Sequence, residues 1–248
     1  MSMFTHPRHP ALVTALLLIA GCSQNQLRQD PSAPALPVAP MMAPAALGAP
    51  VLAAPLAATA IGTTDAQQFQ RSYDDEASGK LDAALTDLDG VGALGTGGYV
   101  AQLRRGWLLY RLGKHADSVT AYGKASALDP ASTEAKVGAL LPLGELRRWA
   151  DVEVRAKEIV QKDPGNHTAN LRLAFALYSQ ARYVEAEVAY RTVLSHAPSD
   201  VDARAGLGWS QLKAGKTKEA QMTFAEILGY APKNTLALEG MKALGAKG

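Results

Sequence analysis

The chain has 248 residues, of which 48% are hydrophobic and 19% are charged, and its 25 basic residues nearly balance its 23 acidic ones. A net charge of +2 gives no basic excess of the kind that favours nucleic-acid binding. Cys22 is the one cysteine in the sequence, so no disulfide can form within the chain.

The first 21 residues have the pattern of a secretory signal. Arg8 precedes an apolar run over residues 11–20, which is too short to span a bilayer. The run leads into the sequence IAGC, ending at Cys22, which resembles the lipobox of bacterial lipoproteins. This resemblance implies cleavage before Cys22 and acylation of its sulfur and of the new amino group, and two or more acyl chains anchor a protein stably. The alternative is a chance cysteine at the end of an ordinary signal.

Residues 22–64 are predicted to form a lipidated cysteine followed by a tether. Between Ser23 and Thr64 the charged residues are Arg28 and Asp30, and Pro and Ala dominate the rest. Frequent prolines prevent a continuous helix or strand, so we expect a disordered, semi-rigid segment with polyproline-like stretches. A docking motif within this segment is the alternative.

From residue 65 onward, several residue types recur with a period of 34. Prolines follow this spacing at Pro130, Pro164, Pro198 and Pro232. Glycines keep the same register at Gly79, Gly113 and Gly215. Small residues recur at Ala84, Ser118, Ala186 and Ala220, and bulky ones four positions later at Leu88, Tyr122, Tyr190 and Phe224. Gly106, Ala174 and Gly208 are small on the preceding helices, where close packing needs them.

These residues resemble the tetratricopeptide repeat (TPR), a helix-turn-helix unit of 34 residues. The resemblance covers residues 65–248 and implies an all-α helix-turn-helix solenoid. We predict a degenerate N-terminal unit at 65–98, four clear units at 99–132, 133–166, 167–200 and 201–234, and a C-terminal capping helix within 235–248. The cap would run from Leu236 to Leu244 and cover the apolar edge of the last unit.

Unit 133–166 departs from the pattern. It has Leu140 and Val152 where other units have small residues, and Ala156 where most have an aromatic one, an exchange that keeps core volume roughly constant. It also has Pro142 within its first helix, which predicts a kink; a tolerated kink and a functional hinge are both open.

The resemblance implies that the first helices of the units line a concave surface that binds peptides or partner helices. The register assigns ten residues to this groove: Leu103, Trp107, Tyr110, Arg111, Leu141, Leu171, Phe175, Tyr178, Trp209 and Lys213. Aromatic side chains are favoured interface anchors, and a cation beside them suits a peptide carboxylate. Packing of the same aromatics between helices, as core, is the alternative.

Motifs for catalysis are scarce. The five histidines lack the spacing of a helical metal site, and no phosphate-binding or dinucleotide-binding motif occurs, so we predict no cofactor, no metal, no small-molecule substrate and no enzymatic activity. The glycine-rich stretch 92–98 is predicted to be a loop, and the acidic cluster at 74–76 a solvated helix face. The basic pairs at 104–105 and 147–148 are expected to be solvated or paired with acids of adjacent units.

The sequence therefore predicts a lipid-anchored scaffold that binds other envelope proteins. Ser23 follows the predicted lipidated cysteine, and by resemblance to lipoprotein sorting rules the absence of Asp there favours the outer membrane, facing the periplasm. Pilus-assembly and pilotin-type lipoproteins resemble the chain most in layout, which implies assembly of a pilus or secretion apparatus. An adaptor or regulator of cell-wall hydrolases, or an exopolysaccharide export factor, is the alternative.

Overall fold

A computed structural model describes residues 63–92 and 95–245. These residues form eleven helices, and the described ranges contain no strand. The helices are α1 Thr63–Ala77, α2 Leu81–Thr86, α3 Gly95–Arg111, α4 His115–Leu128, α5 Glu134–Glu145, α6 Trp149–Lys162, α7 His167–Ser179, α8 Tyr183–His196, α9 Val201–Lys213, α10 Thr217–Tyr230 and α11 Thr235–Gly245.

The helices pair into hairpins that stack in chain order. Each helix from α1 to α11 packs against the next, and the first helices of successive units, α3, α5, α7, α9 and α11, also contact one another. This arrangement is the all-α TPR solenoid that the period predicts. We call the side formed by the neighbouring first helices the inner face.

The turn inside each hairpin has a left-handed residue at one fixed register. Gly79, Gly113 and Gly215 have φ values of 76°, 73° and 83° there, which confirms the predicted turn glycines. Arg147 and Ala181 occupy the same register with φ of 54° and 59°. The chain closes each helix end with the hydrogen bonds of a Schellman motif, for example the Arg182 amide donating to the carbonyl of Leu177 at 3.0 Å. The turn geometry therefore holds even where the residue is not glycine.

The turns between units end in side-chain caps. Asn166, Asp200 and Asn234 each accept a hydrogen bond from the backbone amide three residues ahead, at 3.0, 2.8 and 2.9 Å. Such caps satisfy amides that the first helical turn leaves unpaired. They follow the recurring prolines and fix where α7, α9 and α11 begin.

Aromatic rings of the second helices interlock with glycines of the first helices. A Cβ at Gly106 or at Gly138 would lie within 3.0 Å of the Tyr122 ring, and one at Gly208 or Gly240 would lie within 3.0 Å of the Phe224 ring. Each ring thus sits between the first helix of its own unit and that of the next. The predicted bulky residues of the second helices therefore pack against the predicted small residues of the first helices.

In unit 133–166 the large and small side chains of the repeat exchange positions, and the core is still filled. Leu140, Val152 and Ala156 are 0%, 1% and 0% exposed and lie in one hydrophobic cluster, as the predicted volume exchange requires. Pro142 is buried within α5, which continues to Glu145. The proline lacks an amide hydrogen, so the Gly138 carbonyl loses its usual helical donor.

The predicted C-terminal cap agrees with the structure, whereas the predicted loop near the N-terminal end agrees only in part. The predicted cap is confirmed as α11, whose Leu236 and Ala237 join the cluster that contains Phe224. The prediction of a loop over 92–98 is wrong for its second half, because Gly95 already begins α3. The packing of α3 against α4 outweighs the low helix propensity of these glycines.

The predicted signal, the lipidation site Cys22 and nearly all of the predicted tether lie outside the described residues. Helix α1 begins at Thr63, two residues before the predicted start of the repeat domain. In the ranges that the structure describes, no helix combines the length and apolar character needed to cross a membrane.

Candidate functional site

The ten predicted groove residues lie on the first helices α3, α5, α7 and α9, but they differ in exposure. Six form a partly buried apolar row: Leu103, Trp107, Tyr110, Leu141, Leu171 and Phe175. Arg111 is exposed and Lys213 is partly buried. The row extends over three successive units, so the solenoid brings these side chains into register.

Tyr178 and Trp209 are core residues, which corrects their placement in an open groove. Tyr178 is 4% exposed and packs against Tyr183 of α8 with ring centroids 5.4 Å apart. Trp209 is 3% exposed and meets Phe224 of α10 edge to face at 5.7 Å. Both rings contact the second helix of their own hairpin, and α11 also packs on α9. The alternative reading of these aromatics as core is therefore correct for these two residues.

At the N-terminal end of the inner face, three side chains converge on the carboxylate of Glu76. Trp107 donates through Nε1 at 2.7 Å, Arg104 at 3.0 Å and Arg111 at 3.3 Å. Glu76 is therefore not part of a freely solvated acidic face, and its side chain is 18% exposed. The carboxylate comes from α1, so these bonds join α3 to the first helix of the preceding unit. Two predicted groove residues, Trp107 and Arg111, are engaged in that contact.

The basic pair at 104–105 is paired with the preceding unit, as expected. Arg104 bonds Glu76, and Arg105 bonds Asp89 at 3.0 Å. Arg148, which directly precedes α6, instead pairs within its own unit, with Asp151 in the first turn of α6 at 2.6 Å. The pairs of Arg104 and Arg105 therefore join α3 to the preceding unit, whereas the pair of Arg148 lies at the start of α6.

Arg172 of α7 is a buried cation that the sequence analysis did not single out. It is 8% exposed, and its Nε atom has no hydrogen-bond partner within the described part of the chain. Burial lowers the pKa of its guanidinium, and the nearby Tyr110, Glu145, Tyr190 and Asp202 raise it. Among the described residues no carboxylate forms an ion pair with it, yet an arginine remains charged at neutral pH.

The repeat register explains why an arginine fits at this place. Where the second helix of the preceding unit has an aromatic ring at the bulky position, the residue equivalent to Arg172 is glycine, because the ring occupies the space of a side chain. This holds at Gly138, Gly206 and Gly240. Ala156 precedes Arg172 and Leu88 precedes Arg104, so both arginines follow a unit without that ring. A non-aromatic residue at the bulky position of one unit, followed by an arginine on the first helix of the next unit, is the sequence signal for both arginines.

Ion pairs between second helices and the following turns join the units on the other side of the molecule. Glu153 accepts from Lys157 and Arg182, both at 2.6 Å, and from Gln180 at 2.9 Å. Burial alone would raise the pKa of Glu153, but these hydrogen bonds outweigh it and lower the pKa to about 2. Glu187 repeats the contact one unit later with Lys216. These pairs support the stacking of units.

The described residues include no group of three or more His, Cys, Asp or Glu side chains placed to hold a metal ion. The first helices carry a partly buried apolar row that includes the aromatic side chains of Trp107, Tyr110 and Phe175.

Comparisons with known proteins agree with this geometry. Tetratricopeptide-repeat family models match residues 100–132 and 177–244. No curated protein matches the sequence.

Solved structures with the same fold include three informative ones. A tetratricopeptide-repeat protein from Parabacteroides merdae has a TM-score of 0.69 at 18% identity, covering 74% of this chain and 73% of its own. MamA from Desulfovibrio magneticus RS-1 has a TM-score of 0.64 at 16% identity, covering 71% and 99%. YrrB, described as a TPR protein with an unusual peptide-binding site, has a TM-score of 0.62 at 14% identity, covering 74% and 100%.

At these identities the likeness concerns the fold. Together with the helix-turn-helix units described above, it shows that the chain has the tetratricopeptide-repeat fold, and the family models identify tetratricopeptide repeats at residues 100–132 and 177–244.

Proposed function

We propose that the protein is a scaffold whose inner face binds an extended peptide or a helix of a partner protein. The observation that carries this proposal is the apolar row of Leu103, Trp107, Tyr110, Leu141, Leu171 and Phe175 across α3, α5 and α7. Partly exposed aromatic and aliphatic side chains in register offer the contact area that interface anchors need.

The fold neighbours support this proposal. YrrB is described as having a peptide-binding site, and it has the same fold as this chain. TPR solenoids present an extended surface suited to such contacts. The proposed activity is therefore binding rather than catalysis.

We further propose that the scaffold is anchored at the outer membrane and acts in assembly of an envelope complex, with a pilus or secretion apparatus as the leading candidate. The lipobox-like sequence ending at Cys22 and the Ser23 that follows it support this location. An adaptor of cell-wall hydrolases or an exopolysaccharide export factor is the competing proposal, and the identity of the captured partner decides between them.

In-cell photo-crosslinking tests the binding surface. A photoreactive amino acid at Leu141, in the apolar row, should crosslink a partner. The matched control is Val188, which is 62% exposed on the second helix α8. Equal crosslinking from both sites, or crosslinking from Val188 alone, would contradict an inner-face binding site.

Fatty-acid labelling tests the anchor separately. Cys22→Ser removes the sulfur that the lipobox-like sequence would present, so labelling and membrane association should be lost. Equal labelling of the variant and the wild type would refute the lipoprotein proposal and leave the binding surface unaffected.

A further inference from the structure

We propose that a second copy of this chain binds the outer face of the solenoid, so that two copies form a symmetric dimer. The outer face is the side formed by the second helices α4, α6, α8 and α10. The proposed function uses the inner face, so the dimer goes beyond that function and can fail or hold independently of it.

An exposed apolar row runs across three successive second helices. Val154 on α6, Val188 on α8 and Met222 on α10 are 59%, 62% and 73% exposed. They are spaced by 34 residues and therefore occupy one register of the repeat. Val184, one helical turn before Val188, is also exposed and widens the row. Single exposed apolar side chains are common on protein surfaces, but several of them in register indicate an interaction surface.

The row has a defined end and therefore a defined middle. On α4 the same register holds Thr120, which is exposed and whose hydroxyl donates to the carbonyl of Ala116 in its own helix at 3.1 Å. On α2 it holds Thr86, also exposed. The apolar row thus covers the units from 133 to 234, and Val188 lies at its centre.

A two-fold axis through Val188 brings the rows of two copies together. The second helices of stacked hairpins run in the same direction, so half a turn sets α8 antiparallel to α8 of the second copy. It likewise sets α6 antiparallel to α10 of the second copy. Val188 then meets itself, and Val154 meets Met222 of the second copy. Such an isologous contact closes after two copies.

The charges around the row fit this arrangement. A residue that follows Val154 by some number of positions faces the residue that precedes Met222 by the same number. Over α6, α8 and α10 this rule brings two charged residues together in three places, and in all three their signs are opposite. The pairs are Glu158 with Lys218, Lys157 with Glu219, and Glu185 with Arg191. All six residues are exposed.

This self-complementary pattern favours a second copy over other occupants. An isologous interface must be complementary to itself, whereas a surface for an unrelated protein need not be. An anionic lipid surface would favour a basic excess. The exposed acidic and basic residues of α6, α8 and α10 are instead four of each, namely Glu158, Glu185, Glu219 and Glu226 against Lys157, Lys162, Arg191 and Lys218.

Glu158 and Lys218 form the pair most open to testing. Lys218 has no ion-pair partner within the described residues, and Glu158 contacts Lys136 at a long 3.5 Å. In the other two pairs, Lys157, Arg191 and Glu185 already pair within their own chain, with Glu153, Glu187 and Arg182 respectively. A dimer joined at the outer face leaves both inner faces open, so it presents two binding surfaces for partner proteins.

Disulfide trapping tests the position of the axis. In the full-length chain carrying Cys22→Ser, an introduced cysteine is the one thiol. Under mild oxidation, Val188→Cys should form a covalent dimer with itself, because the two thiols meet on the axis. Val154→Cys and Met222→Cys should form a mixed dimer with each other in preference to dimers with themselves. Thr120→Cys is the matched control, since it is exposed at the same register but lies outside the row.

Charge reversal tests the register of the contact. In sedimentation equilibrium of the same full-length chain, Glu158→Lys and Lys218→Glu should each raise the dissociation constant of the dimer about tenfold, because each creates two like-charged contacts per dimer. The double variant Glu158→Lys/Lys218→Glu should return the constant to the starting value. A local effect on Lys136 cannot produce that rescue, because the double variant retains the change at residue 158. Circular dichroism confirms that each variant is folded.

Two outcomes would overturn the proposal. If Val188→Cys forms no more covalent dimer than Thr120→Cys, the outer faces do not meet at Val188. If the double charge variant dimerises no better than the single ones, Glu158 does not face Lys218 and the two-fold arrangement is wrong. In the photo-crosslinking experiment, a product at Val188 that joins two copies has twice the mass of the chain. It is therefore counted separately from a product with a partner protein and leaves the test of the inner face unaffected.

Discussion

The interlock of glycines and aromatic rings predicts a large effect from adding one methyl group. In Gly206→Ala the new Cβ would lie 2.3 Å from Cζ and 2.5 Å from Cε1 of Tyr190. Tyr190 is 2% exposed and α8 packs tightly on α9, so neither the ring nor the helix has room to move. Overpacking of this kind costs about 1–3 kcal/mol of unfolding free energy.

The matched control for this substitution is Gly123→Ala. Gly123 lies in the interior of α4, and a Cβ there would have no atom within 4 Å. This substitution should stabilise the protein by about 1 kcal/mol, because alanine has the higher helix propensity. The contrast between the two variants isolates the clash from the backbone effect that both share.

Urea unfolding followed by circular dichroism measures both changes. The expected order of stability is Gly123→Ala above wild type above Gly206→Ala. In a Gly206→Ala background, Tyr190→Leu should cost less than it does alone, because the smaller side chain makes room for the methyl group. If Gly206→Ala proves as stable as Gly123→Ala, the ring does not occupy the space at residue 206 and the packing argument is wrong.

Three further variants test other features. Ala181→Gly should raise the unfolding free energy by about 1 kcal/mol, because residue 181 has a left-handed φ of 59° that glycine adopts without strain. An unchanged or lower melting temperature would contradict this. Glu153 has a folded-state pKa lowered to about 2 from an ordinary value of 4.5, so its stabilising contribution is complete above pH 4.5 and is lost as the pH falls towards 2. The wild type should therefore lose more stability than Glu153→Gln over that pH range, and parallel melting curves would contradict the ion pairs of Glu153. Trp209→Ala should lower the unfolding free energy by about 3–5 kcal/mol, as expected for a buried indole, while the folded fraction still binds the partner. Loss of partner binding with unchanged stability would show that Trp209 belongs to the binding surface.

Much of the fold is predictable because the same contacts between bulky and small residues recur in successive units. The turn glycines, the ring positions and the small residues facing them recur every 34 residues, so the hairpins and their stacking follow from the sequence. The tolerance of Ala181 and Arg147 for a glycine conformation does not follow, since the surrounding helix ends impose it.

The candidate site is less predictable because equal register does not mean equal exposure. Trp107 and Trp209 share one position in the repeat, yet Trp107 is partly exposed and bonds Glu76, whereas Trp209 is buried against Phe224. Their different neighbours along the solenoid decide this. Ala156 in the preceding unit likewise leaves space for the side chain of Arg172. This relation between two units is missed when each position is considered alone.

The most direct test of the binding claim is an amide NMR map of the full-length protein titrated with a peptide from the partner that crosslinks at Leu141. We expect the chemical-shift changes to concentrate on the first helices α3, α5 and α7, around Leu141. Changes confined to the second helices α4, α6 and α8 would contradict binding at the inner face.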